Sequence, residues 1–256
     1  MRYLVSKLLI VLVALVVAGF GLCSDDPQQS TVSMQATSAA DLEKAGDHCR
    51  AQKDYTQAIK YFDEAIRKDP KNAKLYNKLG LAELANGDYK AARYDFEKAT
   101  RYNRAYPEAW NDLGVIAYVE HNYKAAANYF KKAIALDETR ASFHVNLGVT
   151  WFTRNEMDRA MREYSRALEL DPEALTRSST SGVTAQITNR AERAKHDYMM
   201  ARIYARMGNV DNCLVCLRKA KENGYADLSN VYKDEEFARV RQDTRLAEIV
   251  PPPPVK

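Results

Sequence analysis

The chain has 256 residues, 46% of them hydrophobic and 28% charged, and a net charge of +4. Glycine and proline are scarce, which favours helices over a turn-rich sheet. A weak positive charge with no block of five or six like charges excludes the electrostatic footprint of a nucleic-acid binder. Residues 1–23 read as a targeting segment. Arg2 and Lys7 make a basic start, residues 8–20 are almost wholly apolar, and Gly19 and Gly21 stand near the end. The apolar run is short for a membrane span, which takes about 20 residues. Three fates stay open: cleavage as a secretory signal, retention as an anchor with Lys7 snorkelling, or lipid attachment at Cys23, where bulky Leu22 departs from the usual lipoprotein pattern. All three export the body, leaving it periplasmic or membrane-anchored and facing the periplasm. Residues 24–38 are polar, aperiodic and read as a linker.

The next stretch is periodic. In residues 107–140, Trp110, Leu113, Gly114 and Ala117 fall on one face of a first helix, and Ala126, Phe130 and Ala133 on one face of a second. Small Gly114 and Ala126 let two backbones approach, and Phe130 fills the space beside them. Sliding the window by one period returns the pattern. Leu42, Gly46, Ala58, Phe62 and Ala65 match in the first copy, Tyr76, Leu79, Gly80, Ala92, Phe96 and Ala99 in the second, and Leu147, Gly148, Ala160, Tyr164 and Ala167 in the fourth. The copies start at Ala39, Ala73, Pro107 and Ala141 without a single-residue slip. The turn inside each pair falls on Lys53, Gly87, His121 and Asn155. Gly and Asn tolerate a left-handed backbone, and Lys53 and His121 are less suited to it.

The period breaks across residues 175–193, a polar insertion centred on Ser178-Ser179-Thr180-Ser181-Gly182 that lacks the Lys of a phosphate-binding loop. Asn189 and Glu192 resemble a capping box that starts the next helix. A degenerate fifth copy begins at Ala194, with Ala201, Tyr204, Gly208, Cys213, Leu217 and Ala220 in register. Asp197 stands where a large aromatic is usual. Tyr225, Val231, Phe237, Val240, Leu246 and Ile249 are then available to cover the open end of the stack. Residues 251–256 form a Pro-rich tail.

Large, small and aromatic residues at these offsets in a 34-residue helix–turn–helix resemble the tetratricopeptide repeat. The resemblance implies an all-α fold: a right-handed α-solenoid of about five stacked repeats plus C-terminal capping helices. Four repeats occupy residues 39–174, and the degenerate repeat with its cap occupies 194–250. In that family the first helices line a concave groove where partner segments bind. Here that face carries Asn77, Leu81 and Leu84 in the second repeat and Asn111, Val115 and Tyr118 in the third. In the fourth it carries Val145, Asn146, Val149 and Phe152. These helices are apolar nearly all round, whereas an ordinary surface helix keeps one polar face. A wet apolar groove marks a binding site, and the asparagines offer paired donors and acceptors to a partner's backbone. The competing reading is a groove filled by the chain itself. Some family members clamp a chaperone's C-terminal carboxylate with lysines and asparagines. Glu43, Asp47, Asn77 and Leu81 occupy those slots here, so that function is not expected.

Catalytic signals are weak. Cys213-Leu214-Val215-Cys216 is a CxxC pair, but the usual redox setting includes strands, and Cys213 sits in the slot that holds Ala58, Ala92, Ala126 and Ala160. Cys49 falls at a core position. His48, His121, His144 and His196 form no local catalytic unit, and nothing in the sequence asks for a cofactor or metal. The expected function is a non-catalytic protein–protein interaction scaffold in the cell envelope, binding a protein or peptide segment in the groove of repeats two to four. The alternatives are a structural subunit or lipoprotein of a pilus, secretion or outer-membrane assembly machine, and, behind both, a thiol-redox protein using residues 213–216.

Overall fold

The computed structural model describes residues 38–175 and 189–254. The expected targeting segment, nearly all of the linker and the Ser-rich centre of the insertion lie outside the described residues. Ten helices follow one another as antiparallel pairs: α1 Ala39–Ala51 with α2 Tyr55–Lys68, α3 Ala73–Asn86 with α4 Tyr89–Tyr102, α5 Pro107–Val119 with α6 Tyr123–Leu136, α7 Ala141–Thr153 with α8 Met157–Leu170, and α9 Arg190–Arg206 with α10 Val210–Glu222. Each helix packs chiefly on its neighbours in sequence, and the first helices of the first four pairs also touch one another. This is an α-solenoid.

Local chemistry starts and turns the helices. Side-chain oxygens of Ser38, Asp54, Asn72, Asp88, Asn122, Asn189 and Asn209 accept from backbone N–H groups in the first turns of α1, α2, α3, α4, α6, α9 and α10. Pro107 opens α5, where its missing N–H costs nothing. Inside each pair one residue adopts a left-handed backbone: Lys53 at φ 64°, Gly87 at 89°, His121 at 61°, Asn155 at 61° and Gly208 at 71°. For Lys53 and His121 this conformation carries a strain of about 1 kcal/mol.

Packing explains the fixed offsets. A Cβ on Gly114 would lie 2.5 Å from the Phe130 ring, and one on Gly80 2.7 Å from the Phe96 ring. The aromatic therefore occupies the place of the absent methyl. Ala58, Ala92, Ala126, Ala160 and Cys213 are fully buried where the paired helices cross. In the first two repeats the apolar clusters are small and local. From Val115 onward a single cluster continues through repeats four and five into the cap.

The cap is built mainly from short turns: three 3-10 turns, Leu228–Tyr232, Glu235–Phe237 and Val240–Gln242, and one short helix, α11 Arg245–Ile249. Its apolar residues come singly, without the period of a long amphipathic helix. Val231, Phe237, Val240, Leu246 and Ile249 are nonetheless buried, as terminal capping requires.

Candidate functional site: the concave groove

The groove-facing positions divide into two classes. Leu81, Leu84, Tyr118 and Val145 remain partly exposed. Asn77, Asn111, Val115, Asn146, Val149 and Phe152 are buried, none more than 7% exposed. Val115, Val149 and Phe152 belong to the continuous core, and the Phe152 ring meets the His196 ring of α9 edge-on at 5.3 Å. Six of these positions are thus buried, so the accessible groove is narrower than the sequence pattern suggests. At its far end the cap closes repeat five. Tyr198 stacks on Tyr225 at 4.3 Å and donates from its hydroxyl to Asp234, while Arg202 pairs with Glu236.

The buried asparagines do something the sequence reading missed. Asn77 Nδ2 donates to Asp112 Oδ2 at 2.9 Å, and Asn111 Nδ2 donates to Asp112 Oδ1 at 3.0 Å. Asn146 Nδ2 donates to Asn111 Oδ1 at 2.8 Å. Each cross-repeat pair is separated by 35 residues, one repeat plus one. The same offset links Lys78 to Glu43 and the Tyr118 hydroxyl to Thr153 Oγ1. The groove floor is thus a ladder between the fifth position of one repeat and the sixth of the next. Aligning the copies at an offset of 35 instead of 34 reveals its rungs. Each rung engages an amide donor that a partner's backbone would have met.

Charge along the floor is nearly balanced. Lys78 bridges Glu43 and Asp47, Lys74 reaches Glu43 at 2.9 Å, and Arg140 meets Glu108 at 3.1 Å. Burial alone would raise the Glu43 carboxyl; Lys78 and Lys74 outweigh it and hold the group below its ordinary value. Asp112 is different. Burial pushes it up to about 7, the hydrogen bonds from Asn77 and Asn111 only partly offset that, Glu108 adds to the rise and Arg50 opposes it. No Lys or Arg forms an ion pair with it among the described residues. Asn77 Oδ1, beside it on the same amide that donates to Asp112, accepts no hydrogen bond.

The other candidates resolve as packing. Burial drives the Cys213 thiol up to about 12, with Cys216 adding to the rise, and burial then Asp197 drives Cys216 up to about 11, so neither forms a thiolate near neutrality. Cys49 is buried. His144 is brought to Glu163, 2.8 Å from Nδ1, while its Nε2 lies 3.2 Å from the Glu138 carbonyl, so both ring nitrogens are engaged and neither faces a nucleophile. Burial holds His196 down to about 4, and it packs as a neutral ring against Phe152 and Tyr164. No group of acidic, His or Cys side chains among the described residues is arranged to hold a metal, and no described helix is long and apolar enough to cross a membrane.

With this geometry in place, the tetratricopeptide repeat family model matches residues 43–109, 77–140 and 112–174 in overlapping registers, together more than half of the chain. The chain belongs to the tetratricopeptide repeat family. Among solved tetratricopeptide-repeat structures, PilF from Pseudomonas aeruginosa aligns at 16% identity with a TM-score of 0.55, covering 83% of this chain and 92% of that one. YrrB, described as a TPR protein with an unusual peptide-binding site, aligns at 18% identity with a TM-score of 0.50, covering 82% and 98%. MamA from Desulfovibrio magneticus RS-1 aligns at 17% identity with a TM-score of 0.51, covering 74% and 96%. At these identities the likeness establishes the fold. No curated protein sequence matches the chain. Tetratricopeptide repeats are non-catalytic scaffolds that bind peptides or proteins, and this chain is a protein-interaction scaffold of that kind.

Proposed function

We propose that this tetratricopeptide-repeat protein works in the cell envelope, holding a segment of a partner protein along the groove of repeats two to four. The observation that carries this is the strip Leu81, Leu84, Tyr118 and Val145. These apolar and aromatic side chains stay partly exposed, while the C-terminal cap packs on the helices of repeat five. Partly exposed apolar groups over a hydrogen-bonded floor are what a docked segment covers. The peptide-binding role described for YrrB supports the same use of the fold. Export, with or without a tether at the N-terminus, rests on the pattern of residues 1–23.

Site-specific photo-crosslinking tests the reading. A photoreactive phenylalanine analogue at Tyr118 or Leu81 is expected to capture a partner in cells. The same analogue at Tyr94, exposed on the second helix of repeat two, is expected to capture none. Equal capture at Tyr94, or none at the groove positions, overturns the reading. Cys23 at the end of the apolar run favours a second reading, a lipid-anchored subunit of a pilus, secretion or outer-membrane assembly machine. Fractionation separates the two: a soluble periplasmic monomer excludes the anchored subunit.

A further inference from the structure

The floor of the groove has more hydrogen-bond acceptors than donors at one place. Between α3 and α5, Asp112 is 2% exposed and accepts from two amides, yet among the described residues no Lys or Arg forms an ion pair with it, and Arg50 relieves its charge only through space. A buried carboxylate in that state is costly unless it is paired. The acids around it on the groove side already have cations: Glu43 has Lys74 and Lys78, Asp47 has Lys78, and Glu108 has Arg140. Beside Asp112 lies Asn77 Oδ1, an acceptor on a side chain only 3% exposed that receives no donor. Two adjacent acceptors, one carrying charge, call for a donor that brings positive charge.

Depth selects which donor. Leu81, Tyr118 and Val145 are partly exposed and form the rim, whereas the two acceptors belong to buried side chains. A partner's backbone resting on that rim is held away from the floor. An ammonium on a flexible four-carbon stem reaches down, lays its methylenes against the apolar wall and presents three donors as a compact point charge. Arginine brings the same charge on a flat, wide fork, which is harder to seat between two neighbouring rungs.

We propose that the Asp112 carboxylate and Asn77 Oδ1 form the acceptor site for a lysine side chain of the partner segment that lies in the groove. This deepens the groove reading above and depends on it. The lysine completes the ladder where the protein's own side chains leave it incomplete. It also sets the register of the segment, since the rungs on either side are closed: Glu43 with Lys78, and Asn111 with Asn146. The ionised acid is the competent form, in keeping with the raised value near neutrality. The groups that face it are Asn77 from α3, Asn111 and Glu108 from its own helix, and Arg50 from α1.

A phage library of random dodecapeptides, panned at about pH 8 on the full chain and on D112N, tests this. Folding of both is checked by circular dichroism. Wild type is expected to select peptides with apolar residues and one lysine in fixed register, the lysine enriched about tenfold over the unselected library, as a single charge-assisted contact provides. D112N is expected to keep the apolar pattern and lose the lysine. Apolar peptides without lysine from wild type overturn the proposal and leave the groove reading standing. Lysine selected equally by D112N, or arginine in place of lysine, also overturns it. Failure of both proteins to enrich any pattern removes the groove reading itself. Should D112N not fold, a selected lysine peptide titrated into wild type by fluorescence anisotropy decides instead. Binding about tenfold weaker at about pH 5.5 than at about pH 8 supports the proposal, and pH-independent binding overturns it.

Discussion

Replacing Asp112 with Asn gives the most direct measure of what the groove floor costs the fold. Asp112 is 2% exposed, and its carboxyl is raised from an ordinary value of 3.8 to about 7, chiefly by burial. Below 3.8 both folded and unfolded chains hold the proton and there is no effect. Between 3.8 and about 7 the folded chain keeps a proton that the unfolded chain releases, so stability falls as pH rises. Above about 7 the loss is complete. Raising the carboxyl from 3.8 to about 7, at about 1.4 kcal/mol for each tenfold change in proton affinity, makes the full penalty about 4 kcal/mol. D112N cannot ionise, and its amide can turn to give Asn77 Oδ1 the donor it lacks. The stability of D112N minus that of wild type is expected to grow by about 3 kcal/mol between about pH 5 and about pH 8. Urea denaturation followed by circular dichroism at several pH values measures it. Burial also raises Glu83, Asp95, Asp63 and Asp197, while Glu43, Asp137, Glu236 and Asp243 are lowered by their partners; this background is common to both proteins, and only the difference belongs to Asp112. A difference that stays flat with pH would refute the account of a buried carboxylate held without an ion pair.

Other outcomes follow from the same coordinates. Gly114→Ala should destabilise the chain by about 1–2 kcal/mol, because the new methyl overlaps the Phe130 ring by more than helix propensity recovers. Gly148→Ala, whose methyl would sit 3.1 Å from the Tyr164 ring, should be milder, and equal thermal shifts would contradict the packing argument. Lys53→Gly should stabilise by up to about 1 kcal/mol by relieving a left-handed backbone, measured by denaturant midpoint; a loss of stability would mean that the turn is unstrained. A pulse of alkylating reagent at about pH 7.5, read by peptide mapping, should leave Cys213 unlabelled until the chain is unfolded, and rapid native labelling would reopen redox chemistry. Val149→Asp should unfold the solenoid, because it places a charge at a site 3% exposed, whereas Tyr118→Ala, at the partly exposed rim, should keep native helicity by circular dichroism.

Much of the architecture was legible before any coordinates. Gly114 with Phe130 at sixteen residues' distance, repeated as Gly80 with Phe96 and Gly46 with Phe62, is a local rule of close helix approach, and the structure realises it in each pair. The turn residues Lys53, Gly87, His121 and Asn155 were equally readable, because a fixed helix length leaves one position that must turn back. These signals survive in sequence because they act within one hairpin, where the contacts are short-range.

The groove was only half legible. Periodicity assigned Asn77, Asn111, Val149 and Phe152 to the concave face, but a face becomes a surface only if the next hairpin leaves it uncovered. That depends on the angle between repeats, which no single repeat encodes. The stack buries Val149 and Phe152 and joins Asn77, Asp112, Asn111 and Asn146 into one ladder. By itself, then, the sequence determined the hairpin, its turns, the order of the copies and their common offset, all matters of helical period and residue size. Tertiary structure alone decided which groove side chains meet solvent, which bond to one another, and that Asp112 forms no ion pair among the described residues. Those outcomes come from superposing neighbouring repeats with a shift of one residue.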